Sequence, residues 1–275
     1  MRRETRSLDD GYRNELTPGL RAGADAERLA HEIAFSAARL EELAADPPGL
    51  YGAAREQSAS DLEGATWTCL MLAYLCPTEE EDPYGGVREA LAAAPGPDSL
   101  DPELGPLLDS LQLGPRSSHE PGRGVATLTA YAQWVARSGG SQQAAFEGDP
   151  SWSPDRRFAR LFERLALPGL SRAGRYELLV SAGRLGLYEL QGASLQVGGA
   201  RGGEDDAATL SAKRIFGIAD PLLIDRRAQE LAQAAEVPLE ALDLALANWS
   251  APERARMGFA TEVEPTPAIA AALHV

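Results

Sequence analysis

The apolar residues of this 275-residue chain recur with helical spacing almost everywhere, and the two-residue alternation of half-buried strands is nearly absent. Residues 24–45 show the pattern most clearly. The segment is rich in Ala, Leu, Glu and Arg, and one stripe along it carries Leu29, Ile33, Ala37 and Leu40. A Pro-Pro-Gly sequence at 47–49 ends this stretch. The sequence therefore predicts an all-α fold.

Proline, glycine and cap residues divide the rest of the chain into shorter helical segments. We expect helices at 60–76, 84–94, 101–112, 125–137, 153–165, 172–184, 206–217, 221–236 and 238–249. The helix at 60–76 is apolar on most sides, which predicts a core element. Residues 187–203 are rich in glycine and predict an irregular segment with room for a short strand.

Composition suggests a two-lobed organisation. The stretch 114–124 is rich in Pro, Gly and Ser and predicts a connection between lobes, because such residues supply turns but little core. We therefore expect an acidic helical region at 1–113, a second lobe at 125–255 and an extended tail at 256–275.

Charge is distributed unevenly along the chain, whose net charge is −15. Residues 1–150 hold 12 basic and 25 acidic side chains, whereas residues 151–275 hold 14 and 16. Such acidity argues against general coating of nucleic acid, which requires many Lys and Arg side chains. Within 154–184, however, seven arginines face three carboxylates. This basic stretch predicts local contact with a phosphate, although a solvated helix face with ordinary ion pairs explains it equally well.

A predicted helical hairpin lies inside the basic stretch, at residues 167–175. Pro168 and Gly169 end one helix, and Ser171 is suited to cap the next. Backbone N–H groups and the positive end of a helix would then face the same space, which is how proteins commonly hold phosphate. A capped loop between two core helices is the alternative interpretation.

The cysteines, the histidines and the N-terminal residues argue against a metal site and against a secreted or membrane protein. Cys69 and Cys76 are seven residues apart in an apolar helix, where buried thiols are expected, and the three histidines are scattered. No metal-ligand pattern is visible, so we expect no metal and no cofactor. No apolar run resembles a signal peptide or a membrane span, which predicts a cytoplasmic protein without a membrane partner.

The order of these features resembles the helix-hairpin-helix superfamily of DNA glycosylases. The resemblance covers roughly residues 124–249, and its most specific part is Leu167-Pro168-Gly169-Leu170. Ser171 replaces the second glycine of that family's hairpin, and Ala173 stands where lyase-type members carry lysine, so a covalent imine mechanism is not implied. One branch, the α-glutamyl/putrescinyl thymine pyrophosphorylase-like proteins, acts on hypermodified thymine and fits the acidic chain at least as well.

The resemblance implies a two-lobed helical fold and assigns candidate site residues. Hairpin residues Gly169, Ser171, Arg172 and Arg175 would hold phosphate of DNA or of a nucleotide. Gln142 and Gln143 look like the polar turn that fills the gap left by an extruded base. Trp152 and Tyr188 are candidates for a stacking pocket.

A catalytic acid is also implied by the resemblance, because cleavage of a base from deoxyribose builds positive charge that a carboxylate stabilises. No acid motif follows the hairpin at the family's usual distance, where Glu189–Gln191 stand instead. An insertion would shift the role to Asp206, with Asp205 and Glu204 as neighbours.

Three functions remain open from the sequence. The first is a DNA-directed enzyme acting on a normal or modified base. The second is a non-catalytic helical protein whose acidic N-terminal region contacts a basic partner protein. The third is an enzyme acting on modified pyrimidine nucleotides.

Overall fold

The computed structural model describes residues 8–198 and 205–275, and all regular elements within these ranges are helical. The α-helices are α1 (Gly23–Ala45), α2 (Gly49–Ser58), α3 (Leu62–Leu75), α4 (Gly85–Ala93), α5 (Leu104–Ser110), α6 (Gly124–Arg137), α7 (Gln142–Glu147), α8 (Pro154–Arg164), α9 (Arg172–Arg184), α10 (Ala207–Phe216), α11 (Pro221–Ala234), α12 (Ala241–Ser250) and α13 (Pro267–Leu273). A 3₁₀ turn occupies Pro97–Ser99. The all-α prediction is confirmed for the described residues, and the part of 187–203 that the structure describes contains no strand.

Cap residues account for many of the observed helix starts. Asp61 accepts the N–H of Gly64 at 2.9 Å and begins α3, and Asp220 caps α11 in the same way. Proline occupies the first turn of α8, α11 and α13, where its missing N–H costs nothing. These are the signals from which most helix starts were predicted. Helix α2 was not predicted.

The chain forms two compact units whose boundaries differ from the predicted ones. Unit 1 comprises residues 8–40, the described parts of Ser194–Arg254, and Thr261–Val275; unit 2 comprises Glu41–Ala193 and Ala255–Ala260. The predicted connection at 114–124 lies inside unit 2, between α5 and α6. Its residues are held there because Ser118 donates its N–H to the carbonyl of Tyr74 at 2.8 Å.

Unit 1 has its own hydrophobic core. The core residues come from α1, α10, α11, α12 and α13 and include Leu29, Ile33, Ile215, Phe216, Leu246 and Ile269. The prediction of an extended tail at 256–275 is wrong for its last part, because Thr266 caps α13 and Ile269 and Leu273 are buried. Local cap chemistry and apolar burial together make this short helix stable.

Unit 2 is organised around α3, as the sequence predicted for a helix apolar on most sides. Every residue from Ala65 to Leu75 is buried, and α3 contacts α2, α4, α7 and α9. A cluster of aromatic rings packs beside it, with Trp67 and Tyr131 at 6.0 Å between ring centroids and Tyr131 and Trp134 at 5.5 Å. This rigid core supports the turns before α7 and α9 that carry the predicted site residues.

Candidate functional site

The predicted hairpin is formed by the turn between α8 and α9 in unit 2. The N–H of Leu170 bonds to the carbonyl of Leu167 at 3.1 Å, and Gly169 has a φ of +80°. A Cβ at Gly169 would lie 1.9 Å from Oγ1 of Thr127. Both the backbone conformation and the close approach to α6 therefore require glycine at this position.

Ser171 caps α9, as predicted. Its Oγ accepts the N–H of Gly174 at 3.0 Å and lies 2.6 Å from Oγ of Ser118. Within residues 8–198 and 205–275, no hydrogen bond uses the backbone N–H of Gly169 or of Ser171. Ser171 is exposed and Gly169 is partly exposed, so both predicted backbone donors lie at the surface beside the positive end of α9.

The two arginines of this helix start differ in their surroundings. Arg172 is partly exposed, and its guanidinium carbon lies 5.6 Å from the ring centroid of Tyr176. Arg175 is only 8% exposed, donates to the carbonyl of Phe162 at 3.0 Å, and stacks 4.3 Å from the Phe162 ring centroid. Arg175 therefore fastens α9 to α8. This buried position differs from the surface phosphate contact predicted for it, which leaves Arg172 as the accessible arginine of the pair.

The arginines of α8 divide in the same way. Arg157 is buried and donates to the carbonyls of Glu147 at 2.9 Å and Glu189 at 3.0 Å. The exposed members are Arg156, Arg160 and Arg164. The guanidinium of Arg164 lies 5.0 Å from the ring centroid of Trp152, one of the candidate stacking residues. The basic stretch thus has an exposed edge and a buried, structural part.

The polar turn at 141–143 forms the start of α7, and its two glutamines have opposite environments. Gln142 is 0% exposed: its Nε2 donates to the carbonyl of Glu63 at 2.8 Å and its Oε1 accepts from Tyr131 at 2.7 Å. Gln142 therefore has no surface with which to contact DNA, contrary to its predicted role. Gln143 is exposed, and its side chain donates to Glu147 at 2.8 Å.

Glu63 was missed by sequence reasoning. Its two carboxylate oxygens accept the backbone N–H groups of Gln142 at 2.9 Å and of Gln143 at 2.8 Å, so it closes the start of α7. It lies 79 positions before Gln142, and no local pattern links the two.

Tyr188 belongs to a buried polar and aromatic cluster below α7. Its ring stacks on Phe146 with a centroid distance of 4.9 Å, and its hydroxyl lies 2.7 Å from Oγ1 of Thr66. Burial raises the pKa of Tyr188 well above its usual value. A cavity of about 240 Å³ borders this residue and is lined by Glu147, Arg157, Leu187, Tyr188 and Glu189.

The candidate acids belong to unit 1 and have local partners. Asp206 caps α10 by accepting the N–H of Thr209 at 2.9 Å, and Asp205 lies 2.5 Å from Nζ of Lys213, the only lysine. Glu204 lies outside the described residues. A catalytic role for Asp206 or Asp205 stays a prediction. Lys213 also borders a cavity of about 730 Å³, together with Arg21, Arg214, Asp9 and Asp25.

Neither a metal-binding cluster nor a membrane-spanning helix is present among the described residues. No group of three or more His, Cys, Asp or Glu side chains is arranged there to hold a metal ion. Nor does that part of the chain contain a helix long and apolar enough to cross a membrane.

The comparisons with known proteins give one match. A family model described as α-glutamyl/putrescinyl thymine pyrophosphorylase clade 3 matches residues 116–257, just over half of the chain. The matched segment contains the hairpin, both candidate arginines and both candidate acids. No curated protein and no solved structure matches. The match confirms the branch named from the sequence, and it does not extend to the wider glycosylase superfamily.

Proposed function

This chain belongs to the α-glutamyl/putrescinyl thymine pyrophosphorylase family, and we propose that it modifies a thymine-type base and holds a phosphate of its substrate at the hairpin 167–175. One observation carries the proposal. The family match includes a surface hairpin in which the N–H groups of Gly169 and Ser171 and the side chain of Arg172 lie at the start of α9. This combination suits a phosphate group.

The family name joins a thymine base, an amine-bearing substituent and pyrophosphate. We propose a substitution in which the amine nitrogen forms a bond to a carbon of the base substituent while the bond from that carbon to the pyrophosphate oxygen breaks. The bonding pair leaves with pyrophosphate, and the nitrogen loses a proton. Backbone N–H groups and an arginine stabilise the charge that develops on such a leaving group. The hairpin residues supply donors of this kind.

Asp206 is the leading candidate for the group that accepts the amine proton, with Asp205 as its neighbour. Support for this assignment comes from the matched segment, which contains both, and from the chemistry of carboxylates as general bases. The glycosylase-like hairpin suggests an alternative reaction, in which the bond between a base and its deoxyribose in DNA is hydrolysed. In that reaction the same carboxylate would stabilise positive charge on the sugar.

A salt titration tests the phosphate contact. Binding of a fluorescent duplex with an abasic-site analogue should weaken steeply between about 50 and 200 mM salt. Arg172→Ala should reduce the slope of log affinity against log salt by about one. Arg226→Ala is the matched control, because Arg226 is an exposed arginine of unit 1 that pairs with Glu230 at 3.1 Å. Absence of duplex binding at low salt would refute DNA as the ligand.

A product assay separates the possible reactions. Thymine nucleotides carrying pyrophosphate on the 5-methylene group are offered free and within a duplex, with glutamate or putrescine as the amine. Release of pyrophosphate together with a base of increased mass supports the substitution, whereas a free base supports excision. Turnover of the free nucleotide alone would identify a nucleotide enzyme. Loss of turnover in Asp206→Asn with retained binding would support the assigned base, because Asn can still cap α10 and the helix start is preserved.

A non-catalytic function is favoured by a different observation. Residues 1–150 carry an excess of 13 acidic side chains, which suits contact with a basic partner protein. No turnover in any arm of the product assay, combined with salt-sensitive binding of a polycationic peptide, would support this second candidate.

A further inference from the structure

A chain of hydrogen-bonded side chains lies beneath the hairpin in unit 2. Nε2 of His119 lies 3.0 Å from the carboxylate of Asp109 on α5, and its Nδ1 lies 3.1 Å from the hydroxyl of Tyr74 on α3. The His119 side chain is only 2% exposed. The proposed function uses none of these three residues.

The chemistry of the partners determines how His119 bonds. The carboxylate of Asp109 can only accept, so Nε2 carries the proton and Nδ1 of the neutral ring accepts from Tyr74. Burial raises the pKa of Tyr74 to about 12, which keeps its hydroxyl proton available. Asp109 is itself fixed, because both of its oxygens accept the N–H of Gly122 at 3.0 Å. The ring is therefore held from both sides.

This chain connects to the hairpin at two points. The imidazole of His119 packs against Gly124 at the start of α6, and α6 carries Thr127, the residue on which Gly169 packs. The carbonyl of Tyr74 accepts the N–H of Ser118, whose Oγ lies 2.6 Å from that of the cap residue Ser171. Gly169 thus rests on the helix that packs against His119, and Ser171 contacts the residue that precedes His119 in the chain.

Other charged groups near this chain are already paired. Glu120 and Arg123 form an ion pair at 2.6 Å, close to the start of α6. Gly124, at the first position of α6, packs against the imidazole, and a Cβ there would lie 2.9 Å from its Cε1. The ring is enclosed and does not contact solvent where a substrate could reach it.

We infer that His119 is a positioning residue: held by Asp109 and Tyr74, it supports the start of α6 and the neighbouring Ser118, and through Thr127 and Ser118 it fixes the backbone N–H groups of Gly169 and Ser171. The inference deepens the proposed function, since it explains how a hairpin with serine in place of the second glycine keeps a defined geometry. Buried hydrogen-bonded supports of this kind hold binding groups in place in many sites.

The first test concerns the wild-type protein without ligand. The chain has three histidines, so ring ¹⁵N spectra contain few signals, and His119→Gln assigns the one in question. At alkaline pH we expect His119 as the Nε2–H tautomer. A ring found in the Nδ1–H form would overturn the inference, because it could not donate to Asp109 and accept from Tyr74.

The second test measures hydrogen exchange at the hairpin. In His119→Gln we expect the N–H of Gly174, which bonds to Ser171, to exchange about fivefold faster relative to that of Leu179 in the centre of α9. His119→Leu should have a larger effect, since Gln can replace part of the hydrogen bonding. His31→Gln in unit 1 should have none. Equal acceleration at Gly174 and Leu179 would indicate general destabilisation and overturn the inference.

The third test links the residue to binding. His119→Gln should weaken duplex or inorganic pyrophosphate binding about fivefold at a temperature well below unfolding. Unchanged binding with altered Gly174 exchange would refute the link to the site. If the wild-type protein binds neither probe, the proposed function fails, while the tautomer and exchange tests still decide whether His119 positions the hairpin.

Discussion

The turns before α7 and α9 begin alike in sequence and end differently in the structure. Each starts a helix with a serine cap, Ser141 or Ser171, and each was predicted to contact DNA. At α7, Glu63 occupies the backbone N–H groups of Gln142 and Gln143. At the turn before α9, no carboxylate among the described residues accepts the backbone N–H of Gly169 or of Ser171. A capped helix start is therefore available to a ligand only where the tertiary fold leaves its remaining donors unoccupied.

The largest effect is expected from Gly169→Ala. A left-handed φ and a 1.9 Å approach of the new Cβ to Thr127 should lower the free energy of unfolding by about 3 kcal/mol. Gly186→Ala is the matched control. It also has a positive φ, +76°, but open space around its Cβ, so its cost should be about 1 kcal/mol. Urea unfolding of both variants measures the difference, and equal costs would show that the contact with Thr127 is unimportant.

The next largest effect is expected from the two glutamines of the α7 turn, whose replacement should lower the free energy of unfolding by different amounts. Gln142→Ala leaves a cavity and unpaired groups on Tyr131 and Glu63, and should cost about 2 kcal/mol in unfolding free energy. Gln143→Ala removes one exposed hydrogen bond and should cost less than about 0.5 kcal/mol. Denaturation curves of the pair check this order. A larger loss in Gln143→Ala would contradict the burial assigned to Gln142.

A smaller effect is expected from Glu63→Gln. The substitution removes a charge from the α7 cap and turns an amide N–H₂ towards backbone donors, which should cost about 1 kcal/mol. Glu56→Gln, at an exposed position of α2, serves as the control. Amide exchange at Gln142 and Gln143 should accelerate only in the Glu63 variant. No acceleration would mean that water caps this helix equally well.

The smallest effect should appear at alkaline pH, because buried tyrosines lie near both turns. Burial raises the pKa of Tyr74, below the hairpin, to about 12, and it also raises that of Tyr188, below α7. Each tyrosine therefore stabilises the fold fully below its unfolded pKa of about 10 and loses this contribution as pH rises further. At about pH 10.5 each loss should stay below about 1 kcal/mol.

Tyr74→Phe and Tyr188→Phe identify these contributions. Between about pH 8 and about pH 10.5, the free energy of unfolding should fall by less in each variant than it does in the wild type. The buried thiols of Cys69 and Cys76, whose pKa values burial raises to about 12, add a further alkaline loss common to all the proteins. An identical decline in wild type and variants would assign the effect to groups that all the proteins share, namely these thiols and other buried tyrosines such as Tyr131, whose pKa burial also raises.

Much of the hairpin was predictable from local signals. Leu-Pro-Gly ends a helix, Gly169 adopts positive φ, and Ser171 caps α9, whose observed bounds are the predicted ones. The supporting residues were not predictable. Ser118 lies 53 positions from Ser171, and Glu63 lies 79 positions from Gln142, so no short-range pattern connects either pair.

The sequence by itself determined where most helices begin and end, since caps, prolines and apolar periodicity act within a few residues along the chain. It also suggested the family branch, which the hairpin and the acidic charge fitted at least as well as they fitted a repair glycosylase, and the family match then supported that branch. Only the tertiary structure decided which polar groups near these helix starts are exposed. Burial of Arg175 and Gln142, and the exposure of Arg172 and Gln143, depend on which distant helix packs against each one, because side-chain solvation is set by neighbours in space.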